Sequence, residues 1–169
     1  MNIRRSETTL IALAILLMAT ASYQLFVRPG GAGAQLGWQA WLSKLENSAK
    51  HRSVGDLVWR DLHQGDHLAA GASIFTGDQA RARLQFRSGQ KVNMAANTLL
   101  RLQQDQDINK ILLDQGMVQT TLGGEALEIE MQGKKVQLTG EGAEVLITTT
   151  SLSVMKGDAS LQSGDTRLQ

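Results

Sequence analysis

Residues 80–87 read Ala-Arg-Ala-Arg-Leu-Gln-Phe-Arg, a strict alternation of small or apolar side chains with charged or polar ones. On an extended backbone successive side chains point to opposite faces. Ala80, Ala82, Leu84 and Phe86 then share one face, and Arg81, Arg83, Gln85 and Arg87 share the other. A helix of 3.6 residues per turn would mix the two sets. The segment is therefore a strand, buried on one face and wet on the other. The same period continues beyond a turn at Arg87-Ser88-Gly89-Gln90. It recurs at Val92/Met94, Leu100/Leu102, Ile111/Leu113 and Val118/Thr120. Leu127, Ile129 and Met131 then alternate with Glu128 and Glu130. Val136/Leu138 and Ala143/Val145/Ile147 follow, and a final pair, Leu152/Val154 and Ala159/Leu161, is joined across Lys156-Gly157-Asp158. The pattern starts near Leu57, with Trp59 on the same face as an expected core anchor. Short, evenly spaced strands with turn signals predict an all-β fold, an antiparallel β-sandwich or roll of many short strands. No long helical pattern interrupts them, which excludes a parallel βαβ architecture.

The N-terminus has a different character. Arg4 and Arg5 precede an apolar run from Leu10 to Val27, and Arg28 follows it. The run is long enough to cross a hydrocarbon core, and Arg4 and Arg5 favour a cytoplasmic N-terminus. The expected organisation is a cytoplasmic tail (1–9), a transmembrane signal anchor (10–28), a flexible linker (29–35) and a β domain (36–169) outside the inner membrane. The alternative is a cleaved signal peptide ending at Ala19-Thr20-Ala21. The apolar character that resumes at Tyr23, Leu25, Phe26 and Val27 favours the anchor.

Between linker and strands lies LGWQAWLSKLENSAK. Trp38, Trp41, Leu42 and Leu45 fall at i, i+3, i+4 and i+7, which predicts a short amphipathic helix. It is expected to pack on the β domain and close one end of its sheets, or to lie in the bilayer surface.

Chemistry-bearing constellations are sparse. Asp61, His63 and His67 are the one cluster with ligand-like spacing, but Gly65-Asp66 marks a turn there, and no second cluster supplies further ligands. An exposed histidine pair is the expectation, with no metal and no cofactor. There is no Gly-x-Ser-x-Gly elbow. The glycine-aspartate pairs at 65–66, 77–78, 157–158 and 164–165 read as turns before they read as acid catalysts. The chain carries no cysteine, so thiol and disulfide chemistry are excluded. A net charge of +1 gives no support to nucleic-acid binding. Charge is uneven, however. Residues 51–103 hold seven Lys/Arg against four Asp/Glu, and residues 104–147 hold three against eight. Such a split normally marks two solvated faces. Arg81, Arg83 and Arg87, with Lys91 nearby, form a basic row suited to carboxylates or phosphates; a charged outer or edge strand is the plainer account. This row and the Trp38/Trp41 element are the candidate partner-binding surfaces.

One ordered series carries a resemblance. Leu62-x-x-Gly65-Asp66-x-Leu68 is followed by Gly71-x-x-Ile74 and Thr76-Gly77. Next come Ala80-x-Ala82-x-Leu84, the Ser88-Gly89 turn, Val92, and Thr98-x-Leu100-x-Leu102. Leu113-x-x-Gly116-x-Val118 extends it. Over residues 54–120 the chain resembles the FecR domain, a bacterial envelope module. The resemblance implies a periplasmic β domain that acts by protein–protein contact rather than catalysis. In iron-uptake members such a protein relays a receptor signal to a cytoplasmic sigma factor. Residues 1–9 are too short to grip one, so an adaptor or scaffold with an envelope protein partner is implied instead. Two further readings are a lipopolysaccharide-transport bridge component with a lipid-binding jelly roll, and a cell-wall-binding or cell-wall-processing protein.

Overall fold

Alternation along the chain is realised as strands throughout the computed structural model, which describes residues 38–106 and 108–164. The expected tail, anchor and linker at 1–35 lie outside the described residues. Among the described residues fifteen strands form two sheets. The first contains β1 (Trp38–Glu46), β4 (His67–Ala69), β6 (Arg81–Phe86), β7 (Lys91–Met94), β10 (Met117–Gly123), β13 (Glu141–Thr148) and β14 (Leu152–Lys156). Its order is β14-β13-β10-β7-β6-β1-β4. The second contains β2 (Ala49–Arg52), β3 (Arg60–Asp61), β5 (Ser73–Thr76), β8 (Leu99–Asp105), β9 (Ile108–Gln115), β11 (Leu127–Met131), β12 (Lys134–Thr139) and β15 (Ser160–Gly164). Its order is β15-β12-β11-β9-β8-β5-β2-β3. The chain passes repeatedly from one sheet to the other after one or two strands, and among the described residues every pairing is antiparallel except β9 with β11, which run parallel with Leu127 opposite Asn109. The fold is thus all-β, with one antiparallel and one mixed sheet.

The two inner faces build one core. Leu42, Leu84, Phe86, Val92, Val118 and Val145 contribute from the first sheet; Ile74, Leu100, Leu102, Ile111, Leu127 and Ile129 contribute from the second. All of these are buried, and all lie within the compact unit Gln35–Gln169.

Residues 38–46 correct the sequence reading. They form a strand, not an amphipathic helix. Two irregularities explain the false period. The register between β1 and β4 slips between Trp38 and Ala40. That between β1 and β6 slips between Leu42 and Lys44, where β1 carries one extra residue, Ser43. A bulge moves the next inward residue from i+2 to i+3. Ala40, Leu42 and Leu45 therefore share the core side, and Trp41 is thrown to the outside. The spacing of 3 that mimics a helix is the signature of the bulge.

The ends that a helix was expected to close are laced by polar side chains instead. At one end Gln39 Nε2 donates to Gln103 O (2.6 Å) and Asn109 Oδ1 (2.8 Å). Asn109 Nδ2 donates to Ser88 Oγ, the Ser88 hydroxyl donates to Gln90 Oε1, and Gln90 Nε2 reaches Glu125 O at 3.1 Å. At the other end Thr76 Oγ1 donates to Ala95 O at 2.6 Å and Thr98 Oγ1 to Met117 O at 3.2 Å. The second lattice ties backbone on the first-sheet side to threonines flanking second-sheet strands, and the first ties side chains of the two sheets to each other and to backbone. Most of these buried polar atoms are paired, Gln39 Oε1 being left without a partner among the described residues, and the bonds fix the sheets against each other.

Two smaller expectations change as well. Leu57 is 91% exposed in the β2–β3 loop, and Trp59 is half-buried there, its ring under the Arg52 guanidinium at 5.1 Å. The last two strands do not pair with each other. β14 adds to β13 in the first sheet, and β15 adds to β12 in the second. They form open edges at the same side of the sandwich, where Val154 and Leu161 remain exposed although they align with the inward Val145 and Leu138.

Candidate ligand groove on the outer face of the first sheet

Strand register places the outward side chains of the first sheet in cross-strand rows. Lys44 lies opposite Arg83, Arg83 opposite Asn93, Asn93 opposite Gln119, and Gln119 opposite Leu146. The adjacent row begins with Glu46 opposite Arg81. Together they line a groove of about 440 Å³, where Met117 and Leu146 supply apolar side chains beside Ala95, and the strands at Ala82 and Met94, whose side chains face the core, run beneath. Three cations, Lys44, Arg81 and Arg83, thus meet a single acid, Glu46, beside an apolar strip.

The bulge at Ser43 produces this grouping. Without the extra residue Lys44 would face the core. With it, Lys44 and Glu46 both point outward, two residues apart on one strand, and Ser43 Oγ donates to Arg83 O at 3.0 Å. Lys44 Nζ donates to Glu46 Oε1 at 2.7 Å. That bond and the Lys44 charge hold the Glu46 carboxyl below its ordinary range. Burial opposes the shift slightly, and the charges of Arg81 and Arg83 add to it. Arg83 Nε donates to Asn93 Oδ1 at 2.7 Å, which orients the guanidinium across the groove. Among the described residues neither Arg81 nor Arg83 forms an ion pair. An arginine fork offers several donors and matches a carboxylate two bonds at a time.

No protein family, curated protein or solved structure matches this chain. The site is therefore read from its own residues.

The structure separates the residues that the sequence grouped. Arg81 and Arg83 line the groove. Arg87 lies past the end of β6, where its N–H donates to Gln39 O at 3.2 Å, and it does not line the groove. Lys91 is exposed, opposite Gln85 in the row next to Arg83. Trp41 belongs to that same row, opposite both Gln85 and His67, and is half-buried on the outer face. The backbone of Trp38 lies opposite Ala69. Lys44, Asn93, Met117, Gln119 and Leu146 escaped the sequence reading. Asn93, Gln119 and Leu146 do follow from the alternation of β7, β10 and β13 once strand order is known; Lys44 was hidden by the bulge.

His63 and His67 are exposed. The His63 backbone N–H donates to Asp66 Oδ2 at 2.7 Å, which ties the loop before β4 together. Among the described residues no group of three or more His, Cys, Asp or Glu is placed to hold a metal.

Proposed function

We propose that this chain is a single-pass, membrane-anchored envelope protein whose FecR-like β domain acts as an adaptor or sensor, presenting the outer face of its first sheet to an acidic segment of a partner protein. The observation that carries this reading is the excess of fixed positive charge in the groove. Lys44, Arg81 and Arg83 face one carboxylate, which Lys44 already engages. A partner's Asp or Glu would bind the arginine forks, and an adjacent apolar side chain would rest on Met117 and Leu146. The ordered turn series at 62–102 supports an envelope module, and the Leu10–Val27 run supports the anchor. The interior also favours an adaptor over a lipid-conducting jelly roll. Phe86, Leu84, Leu100 and Ile129 occupy the space between the sheets that an acyl chain would need.

The test is site-specific crosslinking in intact cells from a photoreactive residue at Gln119, which lines the groove. It should capture an envelope protein. The charge reversal R81E/R83E should reduce capture at least about tenfold, since each arginine–carboxylate contact contributes about 1.5–3 kcal/mol. Raised salt should weaken the purified complex. Capture indifferent to both changes refutes the groove as the contact. Lipid co-purifying in stoichiometric amount would favour the transport-bridge reading instead.

A further inference from the structure

The β2–β3 loop exposes apolar side chains in a way that neither the core nor the groove explains. Val54 is 67% exposed, Leu57 91% and Val58 67%, three large apolar groups within five residues. The loop is braced, not collapsed. The Asp56 N–H donates to Ser53 O at 3.2 Å, and the Arg60 guanidinium reaches the Asp56 carboxylate at 3.4 Å across the turn. Arg52 covers the Trp59 ring at the base, and one Val54 methyl fills the space that a Cβ on Gly71 would need. Leu57 and Val58 are therefore held out at the tip, with the tryptophan and two arginines behind them.

We propose that this loop is an insertion tip that seats the domain on a phospholipid bilayer surface. Apolar residues at the point, an aromatic ring at the base and arginines flanking it follow the polarity gradient of a membrane interface. The alternative occupant, a protein, fits less well. Three side chains on one turn fall far short of the roughly 800 Å² per partner of a stable protein interface. A bilayer requires no complementary socket. The limbs carry Lys50, Arg52 and Arg60 against Asp56 and Asp61. The single excess positive charge adds a preference for anionic lipid of only about fivefold. Insertion of the apolar tip dominates.

The inference rests on the anchored reading in one respect. Ten residues, 28–37, separate the apolar run from β1 and span at most about 35 Å. Such a tether keeps the tip at high effective concentration near the bilayer, so weak insertion suffices.

The test uses the 35–169 unit, which contains the whole core and lacks the apolar run, so membrane binding cannot come from the anchor. The chain has no cysteine, so Leu57→Cys carries a single environment-sensitive fluorophore. The fragment should sediment with phosphatidylcholine vesicles, more so with phosphatidylglycerol added, and the fluorophore should move to an apolar emission. L57N/V58N should lower vesicle partition at least about tenfold, the loss expected for one or more large apolar side chains kept in water. It should melt like wild type, since both residues are exposed. Met155→Asn, which removes an exposed apolar group on β14, should leave partition unchanged. The proposal is overturned if wild type does not sediment, if Met155→Asn loses as much as L57N/V58N, or if the fluorophore stays in water while the protein binds. A stoichiometric protein complex that requires Leu57, without vesicle binding, would overturn it in favour of a protein socket. Alkaline extraction of the full chain from cell membranes reads the anchor separately.

Discussion

Phe86→Ala is the sharpest test of the two-faced character of β6. Phe86 is 1% exposed, pairs across from Ala40, and lies in the core beside Leu84 on β6. Its nearest cross-strand neighbour is small, so the surrounding side chains have little length with which to fill the void. Truncating a buried phenylalanine removes its transfer free energy and leaves a cavity, together about 3–5 kcal/mol. With a urea dependence of about 2 kcal/mol per molar, typical of a domain this size, the unfolding midpoint should fall by about 1.5–2.5 M. Arg83→Ala, three residues earlier on the opposite face, removes one exposed hydrogen bond to Asn93. It should cost under about 1 kcal/mol, a shift below about 0.5 M. The measurement is a urea titration of the 35–169 fragment followed by circular dichroism, with the slope checked for constancy. Equal midpoint shifts for the two variants would refute the assignment of opposite faces. A large shift for Arg83→Ala alone would mean that β6 is inverted.

Other consequences can be measured in the same way. Gly116 has φ of +89°, and a Cβ there would sit 2.4 Å from Thr98 Oγ1 and 2.6 Å from Thr98 Cα; Gly116→Ala should cost more than about 2 kcal/mol, whereas Gly133→Ala, also at positive φ but with open space around it, should cost about 1 kcal/mol. Lys110 reaches Glu130 at 2.8 Å and Glu128 at 3.1 Å on the outer face of the second sheet; burial opposes its charge, but the two glutamates outweigh burial and raise its pKa. A raised folded pKa means that stability is fully present below the ordinary lysine value of about 10.4 and is lost as pH climbs through the higher folded value. The stability gap between wild type and Lys110→Gln should therefore narrow above about pH 10.5, and a gap that stays constant into strong alkali would contradict the ion-pair reading. Gln90 is fully buried within the first polar lattice; Gln90→Ala should cost about 1–3 kcal/mol in a thermal or urea melt, because its hydrogen-bonding neighbours are left unpaired.

The strands were legible because alternation reports a face directly. Ala82, Leu84, Phe86, Val92, Met94, Val118, Val145 and Ile147 all point where the period places them. Strand order was not legible, because nothing local in Lys156-Gly157-Asp158 says that the chain changes sheets there instead of closing a hairpin. The helix predicted at 38–45 failed for a local reason. A bulge adds one residue to a period of two, and the result cannot be told from part of a period of 3.6 over so short a window. The groove inherits both difficulties. Arg81 and Arg83 were readable as one face of one strand, but Lys44 depends on the bulge and Met117 and Leu146 on the pairing of distant strands. Arg87 was grouped with them because the alternation continues past the point where the strand ends.

The repeated passage of the chain between the two sheets also governs how the domain can come apart. A sandwich made of two contiguous halves could lose one sheet and keep the other. Here β1 belongs to one sheet and β2 to the other, and the chain changes sheet again at β3 to β4, β4 to β5, β5 to β6, β7 to β8, β9 to β10, β10 to β11, β12 to β13 and β14 to β15. Neither sheet is a stretch of chain, so neither can open alone. Partial opening must start at the lateral edges, with β14 and β15 on one side and the short β3 and β4 on the other. Amide hydrogens of β6 to β11 should then exchange together, at a rate set by global unfolding, while the edge strands exchange ahead of them.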